Sequence, residues 1–264
     1  MSAITTVTGT TGARRARRPS PLMRLVRTEA KLFIRERIGP VWGLGIPLIL
    51  LIVFGSIPAV SKPDASLGGR PLLYLYVPVV IFLGMALICL AAASGTLTNY
   101  RERGILRRLG VTPAGATRLL AAQLIVNASM VIAMAVVIDV IAGLTYHVPL
   151  PGQFLGYAVV MLLATAALLG IGMCIASVAR TPRMAQGLGG LLFYPMMFFS
   201  GLWLPLPEMS PALQHISEAT PLGAASAAMA GILGGNFPPL LYIAILAAWA
   251  AAAALLARRT FRWE

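Results

Sequence analysis

NYRERGILRRLGVTP, residues 99–113, gathers four arginines and one glutamate into a short stretch that closes on Thr112-Pro113. It lies between two apolar runs, about 72–97 and 119–145. Each is longer than the roughly 20 residues that a helix needs to cross a bilayer. A charged segment held between two such runs works in water at a membrane face, where a soluble partner can push on it.

Working outward, four more apolar runs meet the same length test, giving six in all: about 40–60, 72–97, 119–145, 153–179, 185–205 and 237–257. Hydrophobic residues make up 58% of the 264 and charged ones only 11%, against about 25% charged in soluble domains. The six runs leave no uninterrupted stretch for a soluble domain of about 50 residues or more, so we expect any energy source to sit on another chain.

The net charge of +13 would suit a nucleic-acid partner, but its placement excludes that class. With six spans and both ends inside, the inner side holds 19 of the 21 lysines and arginines, and the outer loops hold only Lys62 and Arg70. That is the positive-inside bias, and it puts both termini and the 98–118 loop in the cytoplasm. Cys89 and Cys174 both fall inside predicted spans, where they read as small core residues rather than a disulfide framework. Arginine outnumbers lysine nineteen to two and alanine is abundant, a composition typical of GC-rich bacterial genomes.

Residues 1–21 form a basic tail with little apolar surface to bury, which predicts disorder. Residues 22–38 predict an amphipathic helix in the headgroup region. Leu22, Val26, Ala30 and Phe33 share one face, and Arg24, Thr28, Lys31 and Arg35 share the opposite one. Ala166, Gly170, Gly172 and Ala176 in the fourth span permit close helix approach. Ala179–Arg183 predicts a tight inner turn. Between spans five and six, Leu222–Leu233 is long enough for an interfacial or re-entrant helix but too short to cross.

Several chemistries are absent. A P-loop needs a glycine-rich run ending in Lys-Ser/Thr, and neither Lys31 nor Lys62 follows a glycine. His147 and His215 fall in separate predicted outer loops, so no metal site is expected. No paired carboxylates and no Gly-x-Ser-x-Gly elbow occur, so no catalytic residue and no cofactor is assigned to this chain. Asp139 is the one acid inside a span, which leaves three roles open: polar contact to a Thr or Tyr, cavity lining, or proton relay. Pro195 reads as a break in the fifth span, and Met196, Met197, Phe198 and Phe199 beside it could line an adaptable apolar cavity.

Glu102 to Pro113 reads E-x-x-x-L-x-x-L-x-x-x-P, with Leu106 and Leu109 as its leucines. Ser200-Gly201 through Pro205-Leu206-Pro207, Met209-Ser210-Pro211 and Thr220-Pro221-Leu222 form a second pattern near the other end. Together they resemble type-2 ABC exporter permeases of the daunorubicin-resistance-like family over about residues 22–258. The resemblance implies an all-α polytopic membrane protein. Its parts would be an N-terminal amphipathic helix, six transmembrane helices, a cytoplasmic coupling helix, short extracellular re-entrant helices before the last span, and a cytoplasmic tail, 259–264. It implies a permease homodimer, or a heterodimer with a paralogue, in the bacterial plasma membrane, driven by two ABC ATP-binding subunits that hold ATP and Mg. Family substrates include drugs, lipids, glycolipids and polysaccharides, and the short outer loops lean toward an apolar or amphipathic one.

In that frame a short helix near Tyr100–Leu109 would bring Ile105, Leu106 and Leu109 together as the contact to the ATPase. Arg101, Arg103, Arg107 and Arg108 would surround it, and Pro113 would close it. Glu102 would pair with Arg35 or Arg37, or with an arginine of the ATPase. Two rivals are a proton-coupled secondary transporter, which Asp139 alone hints at, and a membrane-embedded enzyme of lipid metabolism, for which the polar cluster is missing.

Overall fold

The computed structural model describes residues 21–35, 41–64, 69–105, 108 and 116–260. Residues 1–20 of the predicted disordered tail, Arg37, Leu106, Arg107, Leu109, Pro113 and the last residues of the chain lie outside them, while Pro21 opens the first helix.

The described residues are almost entirely helical. Helix α1 is Pro21–Arg35. A π-helical turn, Val41–Gly45, runs into α2, Ile46–Ser56. A two-stranded antiparallel ribbon pairs β1, Pro63–Asp64, with β2, Arg70–Pro71. Helix α3 runs Leu73–Glu102 and contains a π-helical segment, Leu87–Ala92. Then follow α4 (Ala116–Tyr146), α5 (Phe154–Val178), α6 (Pro182–Phe199), α7 (Pro211–Ala219), α8 (Pro221–Leu233) and α9 (Leu240–Thr260).

Four of these helices are long and apolar enough to cross a membrane: Leu73–Glu102, Thr117–Tyr146, Phe154–Val178 and Leu240–Thr260. The sequence places the same four to within a few residues. The other two expected spans differ. In the first, only Val41–Ser56 is one continuous apolar helix, because the chain turns at Ile57 before Pro58. In the fifth, the helix starts earlier, at Pro182, and stops at Phe199, and Gly201 then takes a left-handed φ of 91°. Pro195 does not break it. The helix runs straight through, as membrane helices allow when neighbours satisfy the freed carbonyl.

Local chemistry sets several ends. Thr181 Oγ1 accepts the Met184 N–H at 3.2 Å with Pro182 in the first helical position, and Thr220 does the same for Gly223 at 3.1 Å before Pro221. This pairing of an N-cap hydroxyl with an N1 proline starts α6 and α8.

Helix α3 is the axis of the bundle, with residues 77–86 buried without a gap. Around it lie α2, α4, α5, α6 and α8, while α9 packs chiefly on α5 through Leu246, Ala253 and Ala257. Large apolar side chains also cover the outside: Ile52, Leu144, Leu155, Leu191, Leu240 and Leu255 are all more than half exposed. A water-soluble protein does not expose so much apolar surface, and lipid tails cover it without cost.

In lipid, packing comes from close approach rather than from hydrophobic exclusion. Gly172 of α5 faces the Cys89 carbonyl and Gly189 of α6 faces the Leu90 carbonyl, and neither position has room for a Cβ. The π segment therefore lies against two glycines that let its backbone come within touching distance of both neighbours.

Candidate functional site: the basic end and its cleft

The fold gathers the charges that the sequence scatters. Helix α1, the end of α3, the start of α4, the α5–α6 joint and the last turn of α9 meet at one end of the bundle. These elements carry Arg24, Arg27, Lys31 and Arg35, then Arg101, Arg103, Arg108, Arg118, Arg180 and Arg183, and finally Arg258 and Arg259. Lys62 and Arg70 lie at the far end. There the Arg70 Nη1 donates to the Leu233 carbonyl at 2.8 Å, beside the Tyr74 hydroxyl on the same oxygen.

At the basic end a buried polar cluster fastens α1 to the bundle. Glu29, only 5% exposed, accepts the Tyr100 hydroxyl at 2.8 Å and the Gln123 Nε2–H at 2.5 Å. Gln123 in turn accepts the Asn127 Nδ2–H through its backbone carbonyl at 2.8 Å and its Oε1 at 3.2 Å. The amphipathic pattern correctly turned Arg24, Thr28, Lys31 and Arg35 outward and Phe33 inward, but it missed Glu29. The signal was present: Glu29 is an acid inside a basic helix, and Gln123 and Asn127 stand one turn apart at the head of an apolar run.

The charged segment begins within this cluster. The α-helix of α3 ends at Glu102, and Gly104 takes a left-handed φ of 66°, which glycine adopts without strain. Ile105 is turned inward, onto the buried pair Tyr100 and Leu119, on which Leu25 also packs. Arg101 is also turned inward. Its Nη1 donates to the Ala176 and Ser177 carbonyls at 3.0 and 3.1 Å, and its Nη2 to the Ala179 carbonyl. The guanidinium so caps the carbonyl end of α5, where those oxygens lack helical partners. Glu102, Arg103 and Arg108 are exposed. Among the described residues Glu102 forms no ion pair, with Arg35 or any other, and Arg35 is exposed on α1.

A cleft of about 680 Å³ opens beside this root. Phe33, Trp42 and Gly43 form one wall, Leu87, Ala91, Ala92, Gly95, Thr96 and Asn99 of α3 a second, and Pro182 and Gln186 of α6 a third. Aromatic rings, small apolar groups and neutral polar tips line it, and none of these residues is charged.

The predicted cavity residues lie elsewhere. Asp139 accepts the Tyr157 hydroxyl at 2.7 Å toward the far end, beside a void of about 10 Å³ that holds one water at most. That favours the polar-contact reading. Met197 is fully buried in the core, Pro195 is exposed, and the Phe198 and Phe199 rings stack edge to face at 5.4 Å. Asp139 and residues 195–199 line neither the 680 Å³ cleft nor the pocket beneath α8. His215 sits within α7 rather than in a loop.

The far end is closed by side chains that satisfy helix-end carbonyls. Ser217 and Ser226 donate to Phe199 and Ser200 at 2.5 Å each, and the Trp249 Nε1–H to Ala219 at 2.8 Å. Beneath α8, an apolar pocket of about 140 Å³ lies between Leu75, Tyr76, Val79, Leu206 and Met229.

Residues 21–233, most of the chain, match the family model described as ABC-2 type transporter. The chain belongs to the ABC-2 type transporter family. It is therefore the membrane domain of an ABC transporter, a permease with no ATPase site of its own, and the family implies an ABC ATP-binding partner. No curated protein matches this ABC-2 domain.

Proposed function

We propose that this ABC-2 permease is the membrane subunit of a bacterial exporter that moves a hydrophobic or amphipathic molecule, such as a drug, lipid or glycolipid, outward across the plasma membrane. Two ATP-binding subunits hold ATP and Mg and drive two permease chains, paired with themselves or with a paralogue. The basic end faces the cytoplasm with both termini, and the segment after α3 takes up the force of the ATPase. Val41–Ser56 and α6 complete six crossings, since 16 and 18 residues reach about 24 and 27 Å, close to the hydrocarbon thickness of roughly 30 Å.

The observation that carries this reading is the uncharged cleft opening at the root of the charged segment. Force applied there acts directly on the walls of a cavity large enough for a drug-sized molecule. The absence of charge among its described lining residues suits an apolar or neutral amphipathic substrate.

The test is co-purification with the ATP-binding subunit, followed by reconstitution and measurement of ATP hydrolysis and of outward movement of a lipophilic dye and a fluorescent phospholipid analogue. Hydrolysis should require the partner and vanish with its P-loop lysine. Ala92→Trp, which fills the cleft, should abolish export. Robust hydrolysis by the permease alone, or full export by Ala92→Trp, would overturn the reading.

A further inference from the structure

Tyr100 and Arg101 are neighbours, yet they fasten α3 in opposite directions. Tyr100 reaches α1 and α4 through Glu29 and Gln123. Arg101 reaches the joint between α5 and α6 through three carbonyls. Immediately past that joint, Thr181 caps α6, and Pro182 and Gln186 of its first turns form a wall of the cleft. Beside the direct packing of α3 on α6, a second connection from the root of the charged segment to the cleft wall runs through this one guanidinium.

We propose that Arg101 is a positioning residue that carries displacement of the basic end of α3 into α6, and so changes the width of the cleft, rather than a contact to the ATPase. Three observations support this. A guanidinium in its half-buried place holds three oxygens in a fixed plane, which transmits both translation and rotation. The oxygens belong to the last turn and C-cap of α5, where the positive charge also meets the negative end of the helix dipole. The same turn is tied onward to α9, since the Ser177 hydroxyl donates to Thr260 Oγ1 at 2.9 Å, so the joint cannot move without its neighbours. An arginine that only balanced surface charge would need none of these partners.

The proposal rests on the reading of the chain as an ATP-driven permease, and the experiment separates the two. Cys89 and Cys174 are replaced by alanine, Gln186→Cys is introduced on the cleft wall, and the full complex with its ATP-binding subunit is reconstituted. The rate at which a maleimide labels Gln186→Cys is measured with and without ATP, alongside ATP hydrolysis and the thermal midpoint. With Arg101 present, ATP should change the labelling rate by about fivefold or more, the usual size of a coupling between sites.

In Arg101→Gln the complex should still assemble and hydrolyse ATP, but the ATP-dependent change in labelling should disappear. Arg101→Lys keeps the charge but cannot span three carbonyls, and it should restore assembly where Gln weakens it while leaving most of the change lost. An ATP response of the original size in either variant, with only the thermal midpoint lowered, would make Arg101 a structural cap and overturn the proposal. No ATP response with Arg101 present would overturn the permease reading beneath it, and the proposal with it.

Discussion

Replacing Glu29 with alanine should loosen α1 from the bundle while leaving the rest of the fold in place. The carboxylate is 5% exposed and accepts hydrogen bonds from the Tyr100 hydroxyl and the Gln123 amide. A buried donor stripped of its acceptor costs about 1–3 kcal/mol, so two of them cost about 2–6 kcal/mol together. At about 1.4 kcal/mol per decade, local opening of α1 becomes roughly 30- to 20,000-fold more frequent. Hydrogen exchange of the nanodisc-embedded chain reads this directly in peptides covering residues 21–35, because protection there reports local rather than global opening. Glu29→Gln keeps an acceptor for Tyr100 but turns an amide N–H toward the Gln123 donor, so it should fall between the two. Glu102→Ala, at an exposed acid without an ion pair among the described residues, should leave the same peptides unchanged. Exchange within twofold of the unmodified chain in Glu29→Ala would refute the claim that this cluster holds α1.

Other perturbations test separate parts of the fold. Gly189→Val pushes a side chain against the Leu90 carbonyl and should lower stability by about 1–3 kcal/mol, seen as a lower thermal midpoint in detergent; an unchanged midpoint would mean that the close approach is dispensable. Asp139→Asn still offers Tyr157 an acceptor and should keep assembly and transport, whereas Asp139→Leu should cost about 1–3 kcal/mol; transport lost in Asn and proportional to the proton gradient otherwise would revive the proton-coupled alternative. On intact cells an impermeant maleimide should label His215→Cys and spare Arg103→Cys, and the reverse pattern would invert the proposed orientation.

The long helices were legible because their evidence is local. Thr117–Tyr146 is a single apolar run bounded by Arg118 near one end and by His147 and Pro149 beyond the other, so length and composition fix it. Two features of the site were not legible, for physical reasons. Along NYRERGILRRLGVTP every arginine looks alike, and only the position of the α5 carboxyl end, 75 residues further on, turns Arg101 inward. The expected cavity at residues 195–199 relied on Pro195 as a break, yet a proline on an exposed flank of α6 is accommodated in place. The cleft that does form needs Trp42, Asn99 and Gln186 from three separate segments, and no periodicity within any one of them announces that meeting.

The π-helical segment Leu87–Ala92 makes α3 two helices of different phase on one axis. An α-helix turns about 100° and rises 1.5 Å per residue, so the wide turn offsets everything beyond it by about one residue. Above the segment, α3 is buried on every side from Val77 to Ala86; below it, Gly95, Thr96 and Asn99 are dialled toward the cleft. Closing the segment to regular α-helix with no residue removed would change the span by only about 1.5 Å, which a bilayer hardly registers, but would rotate those three about 100° away from the cavity. The length of this helix answers to the membrane, while its phase answers to the cleft, and six residues keep the two independent.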